Sequence, residues 1–224
     1  MIKTRNIADN AVTAAKLGAD VTSLSTPDDS TVELNGDTLR VKDAGITRAK
    51  LAQVNAFHDI ERSFVGADGA VLAVSETAGD FFRDIGTNQW LIRGEATINE
   101  TEVSVGFASF VLPDNYVDGE AITLRAVCDV VLAGDAALTS AEVDCEAFLQ
   151  TDATGAIGSD LCETAAISVT TTGAAKDFVI TPTGLVAGNK LIFKITGTVV
   201  ETAAGTGAAH MLITKIGVIC AVRA

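Results

Sequence analysis

The chain reads as all-β, an antiparallel β-sandwich preceded by an extended arm, and three observations predict it. From Ala121 to Gln150 the residues alternate, with Ile122, Leu124, Ala126, Cys128, Val130 and Leu132 set against Thr123, Arg125, Val127, Asp129 and Val131. After Gly134-Asp135 the pattern resumes, with Ala141, Val143, Cys145, Ala147 and Leu149 set against Glu142, Asp144, Glu146, Phe148 and Gln150. A period of two on both arms predicts two strands folded back on each other, one face packed and the other wet. Turn-forming clusters punctuate the rest of the chain at sandwich spacing: Pro113-Asp114-Asn115, Asp152 to Ser159, Thr172-Gly173, Pro182-Thr183-Gly184, Gly188-Asn189 and Ala203 to Gly207. The composition agrees, since the 48% hydrophobic fraction is largely Ala and Val, aromatics are 5%, and only three prolines interrupt 224 residues. That describes a core of thin layers of small side chains. An eight-stranded jelly roll is the architecture expected, with a plainer Greek-key sandwich as the alternative.

Taken in order, the arm spans residues 1–58 and the body residues 59–224. Val12-Thr13-Ala14-Ala15-Lys16-Leu17 recurs 34 positions later as Ile46-Thr47-Arg48-Ala49-Lys50-Leu51. Each copy offers a capping Thr before Ala and Lys, which predicts a short helical turn. Two copies are too few to stack into a solenoid. Between them Thr31 to Val41 predicts a hairpin, with Asn35-Gly36 as a type I′ turn that sets Val32 opposite Leu39. A lone hairpin is marginal in water, so it is expected to lie on a partner surface. Gln53 to His58 is read as a brief helix. Strands are then expected near Val71–Glu76, Gln89–Asn99, Val103–Leu112, Ala121–Leu132, Ala141–Gln150, Ala165–Thr170, Phe178–Thr181, Leu191–Glu201 and Met211–Val222.

Charge narrows the function classes. The net charge is −13, and residues 61–224 hold 9 Lys and Arg against 21 Asp and Glu, while residues 1–60 hold 7 against 8. Binding phosphates requires clustered cations, so no nucleic-acid partner is expected. No apolar run approaches the roughly 18 residues of a membrane span, and no apolar leader follows Met1, so no membrane partner is expected and synthesis is expected in the cytoplasm.

No catalytic constellation emerges. His58 and His210 stand 152 positions apart with no nucleophile motif beside either. Cys128, Cys145, Cys162 and Cys220 show no ligand spacing, which makes free, core-packed thiols the expectation and a bridge between neighbouring strands at Cys128 and Cys145 the rival. Glu142, Asp144 and Glu146, with Asp129 expected on the adjacent strand, form an acidic comb that is either a solvated face or a calcium site, and the solvated face is the expectation. Gly66-Ala67-Asp68-Gly69 is read as a turn rather than a phosphate cradle. Trp90 alternates with Ile92 and Ala96, which predicts burial, and Tyr116 is the single tyrosine. No catalytic residue, cofactor or metal ligand is assigned.

Two resemblances point further. Asp9 to Leu17 and Glu33 to Leu51 resemble the short repeats of bacteriophage tail-fibre and other virion structural proteins, in which such segments are intertwined, trimeric and docked on the particle. Phe107 to Tyr116, with Val111-Leu112-Pro113-Asp114-Asn115-Tyr116, and Leu185 to Lys190 resemble the jelly-roll domains of phage head-decoration proteins. These resemblances imply a non-enzymatic virion protein, assembled in the host bacterial cytoplasm, with the phage major capsid protein or another virion component as partner. Apolar residues on otherwise wet strand faces, Ile192, Val200, Val127, Val131 and Phe148, predict a homotrimer. An arm this short cannot form a long shaft. The expectation is therefore a capsid decoration or cement protein, and the alternative is a short tail fibre or spike with a receptor- or carbohydrate-binding tip. Lys3, Arg5, Val12, Lys16, Leu17, Val32, Leu39, Ile46, Arg48, Lys50 and Leu51 are the expected anchoring and interface residues.

Overall fold

The structure, a computed structural model, describes residues 32–35, 38–41, 53–67, 69–72, 78–86, 89–151, 157–202 and 206–223, with backbone alone for 32–41, 84–86 and 89–90. The chain divides into two compact units, Met1–Ala52 and Gln53–Ala224.

In the first unit β1 (Val32–Asn35) and β2 (Thr38–Val41) form the expected antiparallel hairpin. Its register differs from the sequence reading: Val32 pairs with Val41 and Leu34 with Leu39, so Gly36-Asp37, not Asn35-Gly36, lies between the strands. The observed pairing sets Val on Val, Leu on Leu and Glu33 on Arg40. The expected one would have set Leu34 on Asp37. Matched cross-strand pairs therefore outweigh the preference of the Asn-Gly dipeptide for the turn. The two predicted helical turns lie outside the described residues.

The second unit opens with β3 (Gln53–Asp59), a 3-10 turn (Glu61–Ser63) and β4 (Val65–Gly66). It continues through β5 (Phe82–Gly86), β6 (Gln89–Arg93), β7 (Thr101–Val111), β8 (Ile122–Ala133) and β9 (Leu138–Gln150). The last strands are β10 (Ile157–Asp160), β11 (Ile167–Ser168), β12 (Ala174–Ile180), β13 (Lys190–Glu201) and β14 (Ala208–Arg223). One sheet runs β10-β9-β13-β7-β4 with β11 also on β9, and the other runs β12-β8-β14-β6-β5 with β3 also on β14. All of these pairings are antiparallel. Numbering the eight principal strands β3, β7, β8, β9, β10, β12, β13 and β14 in chain order gives 1-8-3-6 for one sheet and 2-7-4-5 for the other. Two interlocked Greek keys of this order make a jelly roll.

Alternation explains which face each strand buries. In β8 Ile122, Leu124, Ala126, Cys128 and Val130 are buried, and in β13 Leu191, Phe193, Ile195 and Val199. β14 follows one phase as far as Ile213 and the other from Ile216 onward, because Thr214 is extruded between Ile213 and Lys215. Before that bulge Ala209, Met211 and Ile213 point inward, and after it Ile216, Val218, Cys220 and Val222 do. Two glycines make room for the larger rings of a core otherwise built from small residues. A Cβ on Gly106 would stand 2.2 Å from the Phe64 ring, and one on Gly197 2.8 Å from the Phe81 ring. Phe64 and Phe81 meet edge to face at 5.7 Å.

Three expectations are corrected. Gln53 to His58 is a strand, not a helix: Ala56 and His58 alternate with Asn55 and Phe57, and pairing with β14 satisfies the backbone groups along one edge of the strand. Ala121 to Gln150 is not a hairpin. β8 and β9 belong to different sheets and face each other across the core, so their apolar faces cover one another. Asp152 to Ser159, read wholly as a turn, includes the start of β10, whose segment closes one side of the sandwich. Leu161 N–H donates to Ala147 C=O at 2.7 Å on one sheet, and Glu163 N–H donates to Val179 C=O at 2.9 Å on the other. Of the strand expected at Val71–Glu76, Val71 bridges to Val65 and residues 73–76 lie outside the described residues. β5 went unread in the sequence.

Candidate functional site

Of the expected anchoring residues the structure places Val32 in β1 and Leu39 in β2, where they pair with Val41 and Leu34 rather than with each other. Lys3, Arg5, Val12, Lys16, Leu17, Ile46, Arg48, Lys50 and Leu51 lie outside the described residues. The candidate surfaces of the second unit are the outer faces of its two sheets.

The outer face of the β14 sheet holds a shallow trough lined by Asn55, Phe57, Thr123, Arg125, Val127, Asp177, Lys215 and Ile219, among others. The strand register puts these side chains in adjacent rows: Asp177 opposite Arg125 on β12 and β8, and Phe57 opposite Ile219 on β3 and β14. Arg125 grips Asp177 with both ends of its fork, Nε and Nη2 donating to Oδ1 and Oδ2 at 2.6 Å. That contact holds the Asp177 carboxyl below its ordinary range and raises the Arg125 guanidinium. The Phe57 ring lies over Gly217, where a Cβ would approach its Cζ to 2.2 Å, and it remains 38% exposed. Lys215 Nζ stands 4.4 Å from the ring centroid. Sequence reasoning missed Phe57 because its segment was read as helix, and the usable signal was the alternation of Asn55 and Phe57 with Ala56 and His58.

The outer face of the β13 sheet is different in kind. Ile192 sits between Phe148 on β9 and Ser109 on β7, and Lys194 between Glu146 and Phe107. Lys194 and Glu146 form a half-exposed ion pair. Val105 and Thr196 follow in the next rung, then Val103 and Thr198. The result is an apolar band of Val103, Val105, Phe107, Ile192 and Phe148 crossed by one ion pair. Ile192 and Phe148, singled out in the sequence, are thus brought together as cross-strand partners. Val127 and Val131 are not part of this band, because β8 belongs to the opposite sheet.

The remaining chemistry-bearing residues are dispersed. His58 points inward from β3 with its ring 5.2 Å from that of Phe110. His210 lies on the outer side of β14, where its Nδ1 meets Arg93 at 3.3 Å. His58 pairs with Val218, eight positions along β14 from His210, so the two are about 26 Å apart. The acidic comb is divided: Glu142, Asp144 and Glu146 are on β9, and Asp129 is on β8 in the other sheet, a correction to the adjacent placement expected. Among the described residues no three acidic, His or Cys side chains converge as metal ligands would. Tyr116 is buried, its hydroxyl donates to Glu120 C=O at 2.6 Å, and burial first of all pushes its pKa up to about 12. Trp90 lies in β6, and its side chain is outside the described part of the structure. All four cysteines are free thiols, with Cys128 and Cys145 on facing sheets rather than neighbouring strands. No helix among the described residues is long and apolar enough to cross a membrane.

No protein-family model matches the sequence, and no curated protein does. Among solved structures, the CBM22-1 xylan-binding domain from Paenibacillus barcinonensis Xyn10C aligns with a TM-score of 0.40 and 16% identity, over 75% of this chain and 94% of that one. TmCBM61, solved in complex with beta-1,4-galactotriose, gives 0.31 and 10% over 77% and 88%. CBM28, a non-crystalline cellulose specific carbohydrate-binding module, gives 0.35 and 8% over 61% and 78%. At these scores and identities the likeness assigns neither a ligand nor a site to the present chain.

Proposed function

We propose that this chain is a non-enzymatic structural protein of a bacteriophage virion, a homotrimeric decoration or cement protein that binds the head through its N-terminal arm and carries the sandwich outward. The observation that carries the reading is the apolar band on the outer face of the β13 sheet, Val103, Val105 and Phe107 beside Ile192 and Phe148. Scattered surface valines need no explanation, but aromatic and branched residues in adjacent rungs of one face fit burial against a second copy. The resemblance of Asp9–Leu17 and Glu33–Leu51 to virion repeats supports the particle as the setting. Charge supports the division of labour. The arm is nearly balanced, while residues 61–224, at 9 − 21 = −12, would repel neighbouring copies on a shell and stay soluble at high density. A trimer bridging several capsid subunits stabilises the assembled state by mass action.

Two measurements test this. Sedimentation of the full chain should give a species of three 23.0 kDa subunits, and Ile192→Glu should shift it to monomer; a wild-type monomer at tens of micromolar would overturn the trimer. Immunogold labelling of purified particles should decorate the head in many copies, and the absence of label from particles would sink the virion reading.

The second reading is a short tail fibre or spike with a receptor- or sugar-binding tip, and it is favoured by the trough on the β14 sheet. There an exposed Phe57 lies beside the hydrogen-bonding groups of Asn55, Thr123 and Arg125. A sugar stacking on that ring would have to displace Lys215. Label at the tail alone, together with glycan binding lost in Phe57→Ala, would replace the cement reading with this one.

A further inference from the structure

We propose that the trough on the β14 sheet selects carboxylate-bearing sugars, as in a uronate-containing glycan, with the Lys215 ammonium reading the acid over the Phe57 ring. The proposal rests on the trough of the second reading and names the ligand chemistry that trough takes. The strand register lays the side chains out in rows. Phe57 and Thr123 stand in one row, Gly217, Arg125 and Asp177 in the next, and Lys215 in the third. Because position 217 has no side chain, the Phe57 ring lies across the middle row, and its centroid comes within 4.4 Å of Lys215 Nζ. The ring is thus backed by the sheet below and faced by a cation above.

Charge decides what that cation can take. Residues 61–224 hold 21 acids against 9 cations, so a surface lysine has carboxylates to choose from. Lys215 is exposed, yet among the described residues its contact is the Phe57 ring, and no acid lies within ion-pair reach of it. The carboxylate inside the trough, Asp177, is held by both ends of the Arg125 fork. Asp59, opposite Gly217 on β3, accepts from Glu61 N–H at 2.8 Å. Two cations and one carboxylate therefore line the trough, which leaves a positive charge on an acidic body. A neutral sugar must push the ammonium aside to reach the ring and forfeits the cation–π contact, whereas a carboxylate pairs with the ammonium where it stands. The rest of the lining favours a sugar over an acidic peptide. The side chains of Asn55 and Thr123 make no hydrogen bond among the described residues and are open to ligand hydroxyls. The shallow floor offers a flat ring more contact than it offers the anchoring side chain of a peptide.

The test is calorimetric titration of the full chain with tetrasaccharides of galacturonate, mannuronate, guluronate and hyaluronan, each beside its carboxyl-reduced, neutral counterpart, and with poly-glutamate. At least one acidic oligomer should bind, more tightly than its reduced form by roughly fivefold or more. That preference should fade between about 0.05 and about 0.5 M NaCl, because an exposed ion pair is screened. Lys215→Gln should bring the acidic and reduced forms to equal affinity, and Phe57→Ala should weaken both. Both positions are exposed, so unchanged far-UV circular dichroism and unfolding temperature are expected of each variant. Equal binding of acidic and reduced oligomers, lost in Phe57→Ala, would overturn the acid selectivity and leave the sugar trough standing. Poly-glutamate bound as tightly as the best oligomer would make this a site for acidic peptides instead. An acid preference that survives Lys215→Gln would remove the assigned residue, and no binding of any oligomer would overturn the glycan trough itself.

Discussion

At the scale of single residues, Glu201 is the most constrained charged group among the described residues. It is fully buried at the end of β13, where its Oε2 accepts from Asn99 N–H and its Oε1 from Ala137 N–H at 3.0 Å. It thereby ties the segment before β7 and the segment before β9 to the end of a central strand, and Asn99 is the described non-glycine residue held at positive φ, 54°. Removing the carboxylate strands two backbone donors, so Glu201→Ala should lose about 2 to 3 kcal/mol in urea titrations. Amide exchange should rise first at Asn99 and Ala137. The Arg125–Asp177 fork makes a different prediction, about pH. Because Arg125 lowers the folded Asp177 pKa, the contact contributes stability above the unfolded value, near 3.9, and loses it as pH falls through the lower folded value. Both side chains are about two-fifths exposed, so the effect is small. A carboxyl NMR titration of Asp177 should give a midpoint below the ordinary aspartate range in the wild type and a return toward it in Arg125→Leu.

At the scale of elements, the bulge at Thr214 decides the core. Deleting Thr214 would leave β14 in one phase throughout, turning either Met211 and Ile213 or Ile216, Val218 and Cys220 outward. The deletion should give insoluble protein or one without a near-UV circular dichroism signal, whereas Thr214→Ser should fold normally. This device also marks the limit of what a sequence discloses. Alternation in Ile122–Leu132 and Leu191–Glu201 was plain because buried and wet residues alternate without interruption. Alternation names a strand's faces but not its partners. β8 and β9 read as a hairpin would have the same pattern as the observed pair, which cross the core and join different sheets. The surfaces were less legible. Ile192 and Phe148 stood out as apolar residues in a wet phase, but Phe107 and Val105 became part of the same band only once β7 was known to pair with β13. Phe57 was hidden in a segment where seven residues were too few to separate strand from helix.

At the scale of the whole molecule, the observed units end and begin at residues 52 and 53, and this can be separated from a break at residue 58 by two fragments. Residues 53–224 should unfold cooperatively, retaining β3. Residues 60–224 should aggregate, since loss of β3 bares β14 from Gly217 to Arg223. β14 is both the final strand of the sandwich and the middle of its sheet, with Gln53 directly opposite Arg223. A ribosome delivers the chain from the other end. While it works, β3 and β8 emerge with no strand between them, and the sheet cannot close until the sixteen residues of β14 have cleared the exit tunnel. The sandwich therefore closes only after β14 has been made, and a truncation anywhere in that strand yields two open sheet edges in search of a partner.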